Sequence, residues 1–226
     1  KKVMNIEVKN ISKRYGKKQI LRNISFEVPE GTAVGIAGTN GSGKSTLLGV
    51  LAGTIKADSG SLIYNGSNIL GNAGSLSPAV GYVPQGTPLF EELSAKDNLL
   101  LWYTSAQLKY ELANGVLAML GIREFLNKRV SKMSGGMKKR LSIGCSMAGH
   151  PRLLLLDEPT AALDIVCKRE ITKYLDEFRK KGGVVIIATH DAEELKMCDS
   201  LYILKGGSLV PYCFDGNVDN LVEKLQ

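Results

Sequence analysis

An α/β fold built on a parallel sheet is predicted by three observations along the 226-residue chain. The first is a short apolar run, Ala33-Val34-Gly35-Ile36-Ala37, which suits a buried parallel strand. It leads into Gly38-Thr39-Asn40-Gly41-Ser42-Gly43-Lys44-Ser45-Thr46, which fits G-x-x-x-x-G-K-[ST] and is followed by the helix-like Leu47 to Ala52. The second is Leu153-Leu154-Leu155-Leu156-Asp157-Glu158, a strand apolar enough to be covered on both faces, with two acids at its carboxyl end. Ligands of open parallel sheets bind at that end. The third is the β-branched run Val184-Val185-Ile186-Ile187-Ala188-Thr189, which reads as another core strand and delivers His190.

The glycine-rich loop carries the most specific chemistry. Its glycines let backbone N–H groups converge on phosphate oxygens at a helix N-terminus. Lys44 supplies a point charge for the β- and γ-phosphates, and Ser45 a hydroxyl for Mg²⁺. A nucleoside triphosphate is therefore the expected ligand. Asp157 is a hard oxygen ligand for Mg²⁺, directly or through water. Glu158, one residue on, is placed to polarise an attacking water. Two exposed acids after a core strand would be the structural alternative. Further on, Ser134 before Gly135-Gly136 and the run Met137 to Ala148 reads as an N-capped helix, whose start is an anion site or simply a cap.

The order of these motifs resembles the nucleotide-binding domain of ATP-binding cassette (ABC) proteins over nearly the whole chain. Ser134-Gly135-Gly136 resembles that family's signature. Tyr15 in Arg-Tyr-Gly, Gln85 in Tyr-Val-Pro-Gln, Asp164 in Ala-Ala-Leu-Asp and His190 in Ala-Thr-His-Asp stand in the family's order. The resemblance implies that Tyr15 stacks on adenine, where a buried hairpin tyrosine is the alternative. It implies that the Gln85 amide oxygen reaches Mg²⁺ and the attacking water, and that His190 bonds the γ-phosphate and steadies Glu158. An ordinary loop glutamine and a satisfied core histidine are the alternatives. By the same resemblance, Ser134 and its glycines bind the γ-phosphate held by a second cassette, two cassettes lie head to tail, and Asp164 sits in a loop crossing between them. Met137 departs from the commonest pattern, in which Gln stands there, so no direct polar role is expected of it. Met-Lys-Lys-Arg looks like cassettes of ABC-2 exporters.

The expected architecture is a P-loop NTPase core with a parallel sheet, an antiparallel β-subdomain and an inserted helical subdomain. Residues 1–226 form one domain, with core and β-subdomain at about 1–85 and 150–226 and the helical subdomain at about 86–149. Antiparallel strands are expected at Met4 to Val8, Gln19 to Val28 and Ser61 to Gly66. Helices are expected at Ala95 to Gln107 and Glu111 to Leu120. A short strand at Ser208 to Val210 and a closing helix at Asp215 to Leu225 complete the chain, with no appended domain expected.

Composition sets limits. Hydrophobic residues make up 44% and charged ones 23%, as in globular proteins, and no run approaches the ~18 apolar residues of a membrane span. The polar, charged start does not read as a signal peptide. Cys145, Cys167, Cys198 and Cys213 lack metal-ligand spacing, which favours a reduced, cytosolic protein. Net charge is +7, in scattered clusters such as Lys138-Lys139-Arg140 that read mostly as a solvated face. The clusters lack interleaved aromatics, so no nucleic acid is expected. The expected partners are a second ATPase subunit and a separate transmembrane permease, which would place the protein on the cytoplasmic face of the membrane. Phe90, in a Pro-containing loop, is the better exposed contact for that permease, and Trp102 is either contact or core. The alternative to a transporter subunit is a translation or DNA-repair ABC ATPase, and a further one is a cassette that binds without hydrolysis.

Overall fold

A computed structural model describes residues 5–71, 73–161 and 163–225. In chain order its elements are β1 (Asn5–Tyr15), β2 (Lys18–Pro29), β3 (Ala33–Ala37), α1 (Lys44–Leu51), β4 (Ser59–Tyr64), β5 (Ser67–Asn68), α2 (Ala73–Ala79) and β6 (Val80–Val83). Then follow α3 (Ala95–Leu100), α4 (Ser105–Asn114), α5 (Val116–Met119), two short 3-10 turns and α6 (Gly135–Ser146). The last part holds β7 (Leu153–Asp157), α7 (Ile165–Lys180), β8 (Val184–Thr189), α8 (Ala192–Lys196), β9 (Ser200–Lys205), β10 (Ser208–Tyr212) and α9 (Val218–Leu225).

Two sheets form. The central one has the order β10-β9-β3-β8-β7-β6, parallel except for β10, and the second is antiparallel in the order β2-β1-β4-β5. The apolar runs of β7 and β8 do not alternate because both faces of the central sheet are covered. Leu153, Leu155, Val184 and Ile186 face α1 and the antiparallel sheet. Leu154, Leu156, Val185 and Ile187 face the helices of residues 95–147 and Ile171, Tyr174 and Leu175 of α7. Filling both faces fixes the carboxyl ends of β3, β7 and β8 side by side, where the phosphate loop, Asp157 and His190 emerge.

The helices expected at Ala95 to Gln107 and Glu111 to Leu120 are each broken. The first stops at Leu100, and Thr104 opens α4 with a reciprocal capping box to Gln107. The Leu-Leu-Leu-Trp-Tyr run hid that break, although Thr-x-x-Gln is a capping-box pattern. The turn sends Trp102 to solvent at 65% exposure and buries Tyr103, whose hydroxyl donates to Gly144 O at 2.7 Å. The second breaks at Gly115, where the buried Glu111 carboxylate accepts from Val116 N at 2.8 Å. Helix α2 was not expected. The closing helix begins at Val218, three residues later than Asp215, and β10 continues to Tyr212.

Helices α6 and α7 meet at Gly136, where an added Cβ would lie 2.2 Å from Cys167 Sγ. Gly136→Ala should gain up to about 1 kcal/mol of helix propensity but lose about 1–3 kcal/mol to overpacking. A lower melting temperature is expected, with recovery when Cys167→Ala is added. A single variant as stable as the parent would contradict this packing.

Candidate active site

The loop between β3 and α1 is shaped by left-handed glycines. Gly41 has φ +79 and Gly43 φ +109, and a Cβ at Gly38 would meet Ser42 Oγ at 2.5 Å. Gly43 also starts α1, so several N–H groups converge on one concavity. Lys44 is buried, and its ammonium donates to Gly38 O at 2.7 Å and Thr39 O at 3.3 Å. Burial pushes its pKa down, while Glu158 and Asp157 act in the opposite sense. Thr39, Asn40 and Ser45 remain exposed at the loop's rim, with Thr46 half-buried at the start of α1.

Asp157 ends β7 and is 2% exposed. Burial raises its pKa, and the hydrogen bond from the Ser45 side chain lowers it. This pairing of a hydroxyl with a buried carboxylate is a hard oxygen donor set, which fits Mg²⁺.

Glu158 takes φ +47, an uncommon conformation for a residue other than glycine, and is 7% exposed. Gln85 Nε2 donates to its Oε2 at 2.9 Å. His190 Nδ1 lies 2.9 Å from its Oε1. The three residues arrive from separate places: after β6, after β7 and after β8. Because the Gln85 amide nitrogen is engaged, its oxygen is free to accept or to ligate. Downstream, Thr160 N and Oγ1 both donate to the buried carboxylate of Glu194 at 2.8 and 2.5 Å, which ties α8 to the segment after Glu158. Glu194 was missed from sequence, since an acid in a first helical turn reads as a surface choice.

Other candidates stand apart from this cluster. Tyr15, at the end of β1, is 51% exposed with the Lys13 ammonium 5.3 Å from its ring centroid, so it is not a buried hairpin residue. Ser134 caps α6, accepting from Met137 N at 3.2 Å, and so keeps its hydroxyl proton free to donate. Asp164 caps α7 by accepting from Val166 and Cys167 N–H, and these bonds hold its carboxyl below the usual range. Directly after it, Ile165 is 83% and Val166 62% exposed. That apolar pair in the first turn of α7 was also missed, because no periodicity marks it. Lys139 and Arg140 are buried, against the expectation that their cluster is a solvated face. Among the described residues no group of three or more His, Cys, Asp and Glu side chains is placed to hold a metal ion.

Comparisons with known proteins agree on one family. The family profile described as ABC transporter matches residues 21–161. The linearmycin resistance ATP-binding protein LnrL of Bacillus subtilis is 33% identical over 91% of this chain and 68% of its own. The lantibiotic transport ATP-binding protein SrtF of Streptococcus pyogenes is 31% identical over 96% of this chain and 94% of its own. A dimeric post-hydrolysis structure of an ATP-binding cassette with ADP and phosphate superposes with a TM-score of 0.77 at 27% identity, over 90% of this chain and 96% of that one. The glycine-rich loop, the two acids at the carboxyl end of β7 and these relatives converge on one conclusion: the chain belongs to the ABC transporter family, as an ATP-binding, ATP-hydrolysing subunit.

Proposed function

We propose that this chain powers a membrane exporter by hydrolysing ATP between two head-to-tail cassettes. The observation that carries the catalytic part is the bracketing of Glu158 by Gln85 and His190, beside Lys44 and Asp157. Residues Gly38 to Thr46 bind the phosphates through backbone N–H groups, and Lys44 moves its ammonium from the loop carbonyls to the β- and γ-oxygens. Bound with the nucleotide, Mg²⁺ would be held by Ser45, Gln85 and Asp157 and would neutralise phosphate charge. Glu158 orients a water and draws its proton as the water oxygen attacks the γ-phosphorus. The bond to the bridging oxygen breaks, leaving ADP and inorganic phosphate. His190 holds Glu158 in place and donates toward the γ-phosphate.

Tyr15 carries the adenine, a reading supported by its exposed ring. Tyr15→Ala should weaken nucleotide affinity by ~1–3 kcal/mol, the scale of base–aromatic stacking, with the rate at saturation much less affected. Titration with a fluorescent ATP analogue measures it, and an unchanged affinity would remove Tyr15 from the site.

The second cassette supplies Ser134, Gly135 and Gly136, with Asp164 at the crossing. Exposed Ile165 and Val166 beside Asp164 support a covered surface there. A dimeric relative with ADP and phosphate points the same way. Glu158→Gln protein should therefore move from monomer to dimer on adding ATP, and Ser134→Arg added to it should prevent the shift. Light scattering reads both, and a double variant that still dimerises with ATP would defeat the head-to-tail arrangement.

Among the described residues no helix is long and apolar enough to cross a membrane. Relatives named as ATP-binding proteins support a permease on a separate chain. A groove of about 760 Å³, lined by Tyr82, Pro84, Leu89, Trp102, Cys145 and Ala148, lies beside Gln85 and suits a short cytoplasmic helix of that permease. Phe90, 58% exposed, extends the apolar surface. The protein would thus sit on the cytoplasmic face of the membrane. Relatives named for resistance and lantibiotic transport support export over the translation or DNA-repair alternative.

A further inference from the structure

The basic run on α6 divides into unlike parts. Lys138 reaches outward and pairs with Glu91 at 2.7 Å. Arg140 turns inward, bonds Leu120 O at 3.2 Å and pairs with Glu170 at 3.0 Å. Lys139 is only 4% exposed, and its ammonium lies 3.3 Å from both Pro84 O and Gln85 O. Among the described residues no carboxylate pairs with it.

Burying an ammonium without an ion pair is costly, and a lysine stem is long enough to reach solvent where it can. Two carbonyl dipoles hold this one inside, within the field of Asp157, Glu194 and Glu158. The two carbonyls belong to the peptide groups on either side of the Gln85 Cα. Fixing both peptide planes fixes the direction in which the Gln85 side chain leaves the backbone. That side chain is the one that donates to Glu158 Oε2 at 2.9 Å. At the other end, Lys139 stands five residues from Ser134 on one helix, about 7.5 Å along its axis. A continuous path therefore runs from the helix start at Ser134, through the α6 backbone and Lys139, to Gln85 and Glu158.

We propose that Lys139 is a positioning residue that ties the Gln85 loop to α6, so that the placement of Ser134 sets whether Gln85 meets Glu158. This rests on the reading of Gln85 as part of the hydrolytic site. Contact of Ser134 with the nucleotide of a second cassette would then be transmitted to hydrolysis in its own chain. Lys139 touches neither nucleotide nor water, and acts only through the loop it grips.

The test is a double-mutant cycle of Lys139→Met with Gln85→Ala, reading kcat, ATP affinity and melting temperature for all four proteins. Lys139→Met keeps the apolar stem and removes the donor. In the parent background kcat should fall on the order of 10-fold or more with ATP affinity unchanged. Lys139→Arg, which keeps a cationic donor, should restore most of the rate. In the Gln85→Ala background Lys139→Met should cost no further rate, because the side chain it positions is gone. Its effect on melting temperature should be the same in both backgrounds, since the two backbone carbonyls remain. A parental kcat for Lys139→Met overturns the proposal, as does an equal fold-loss in both backgrounds. A Gln85→Ala protein with parental kcat instead removes Gln85 from the hydrolytic site, which is a distinct failure. Should Lys139→Met not fold, Lys139→Ala, which also removes the donor and leaves room for water at the two carbonyls, takes its place in the same cycle with the same expected pattern.

Discussion

Lys44→Ala should abolish useful ATP binding. The parent protein should be stabilised by Mg-ATP by ~2.7 kcal/mol at a hundred times its dissociation constant. The variant should show no such shift. The physical reason is the position of the ammonium, which is buried and held on Gly38 O and Thr39 O, where it faces whatever the loop's N–H groups bind. Removing it leaves the triphosphate charge without its main counter-charge in a partly desolvated loop. Loop geometry itself should survive, because Gly41 and Gly43 set it through their backbone conformation. Equal melting shifts for the two proteins would refute the assignment of this loop.

Most of the central sheet was legible in sequence because its strands are buried on both faces. The runs at 153–156 and 184–188 leave no polar side to confuse with a helix, and the phosphate-loop spacing fixes where β3 ends and α1 begins. The helices of residues 95–147 were less legible. They bury one stripe each, and their breaks depend on single side chains, such as Thr104 capping α4 and Glu111 bonding Val116 N. Apolar content alone runs straight through both breaks.

The candidate site shows the same division. Glycine, lysine and acid spacing announced the loop and the end of β7, because backbone geometry and phosphate charge demand those residue types. The meeting of Gln85, Glu158 and His190 was implied by the family resemblance alone, since composition and spacing do not say that β6, β7 and β8 are neighbours, which strand order supplies. The buried contributions of Lys139 and Glu194 were not legible at all. Charged residues in helices are ordinarily solvated, and only the packing of α6 and α8 against the loops turns them inward.

The most direct measurement concerns Glu158, where the site's strained backbone and its two side-chain partners converge. Glu158→Gln keeps size and hydrogen-bonding capacity but removes the charge that draws a proton from water. Loss of a general base typically costs ~10²–10⁴ in rate. Lys44 and Ser45 are untouched, so Mg-ATP should still bind. Phosphate release by the purified variant at saturating Mg-ATP, read beside its melting shift, should be slower by that factor with the shift retained. Hydrolysis at the parental rate would remove Glu158 from the mechanism and contradict the account.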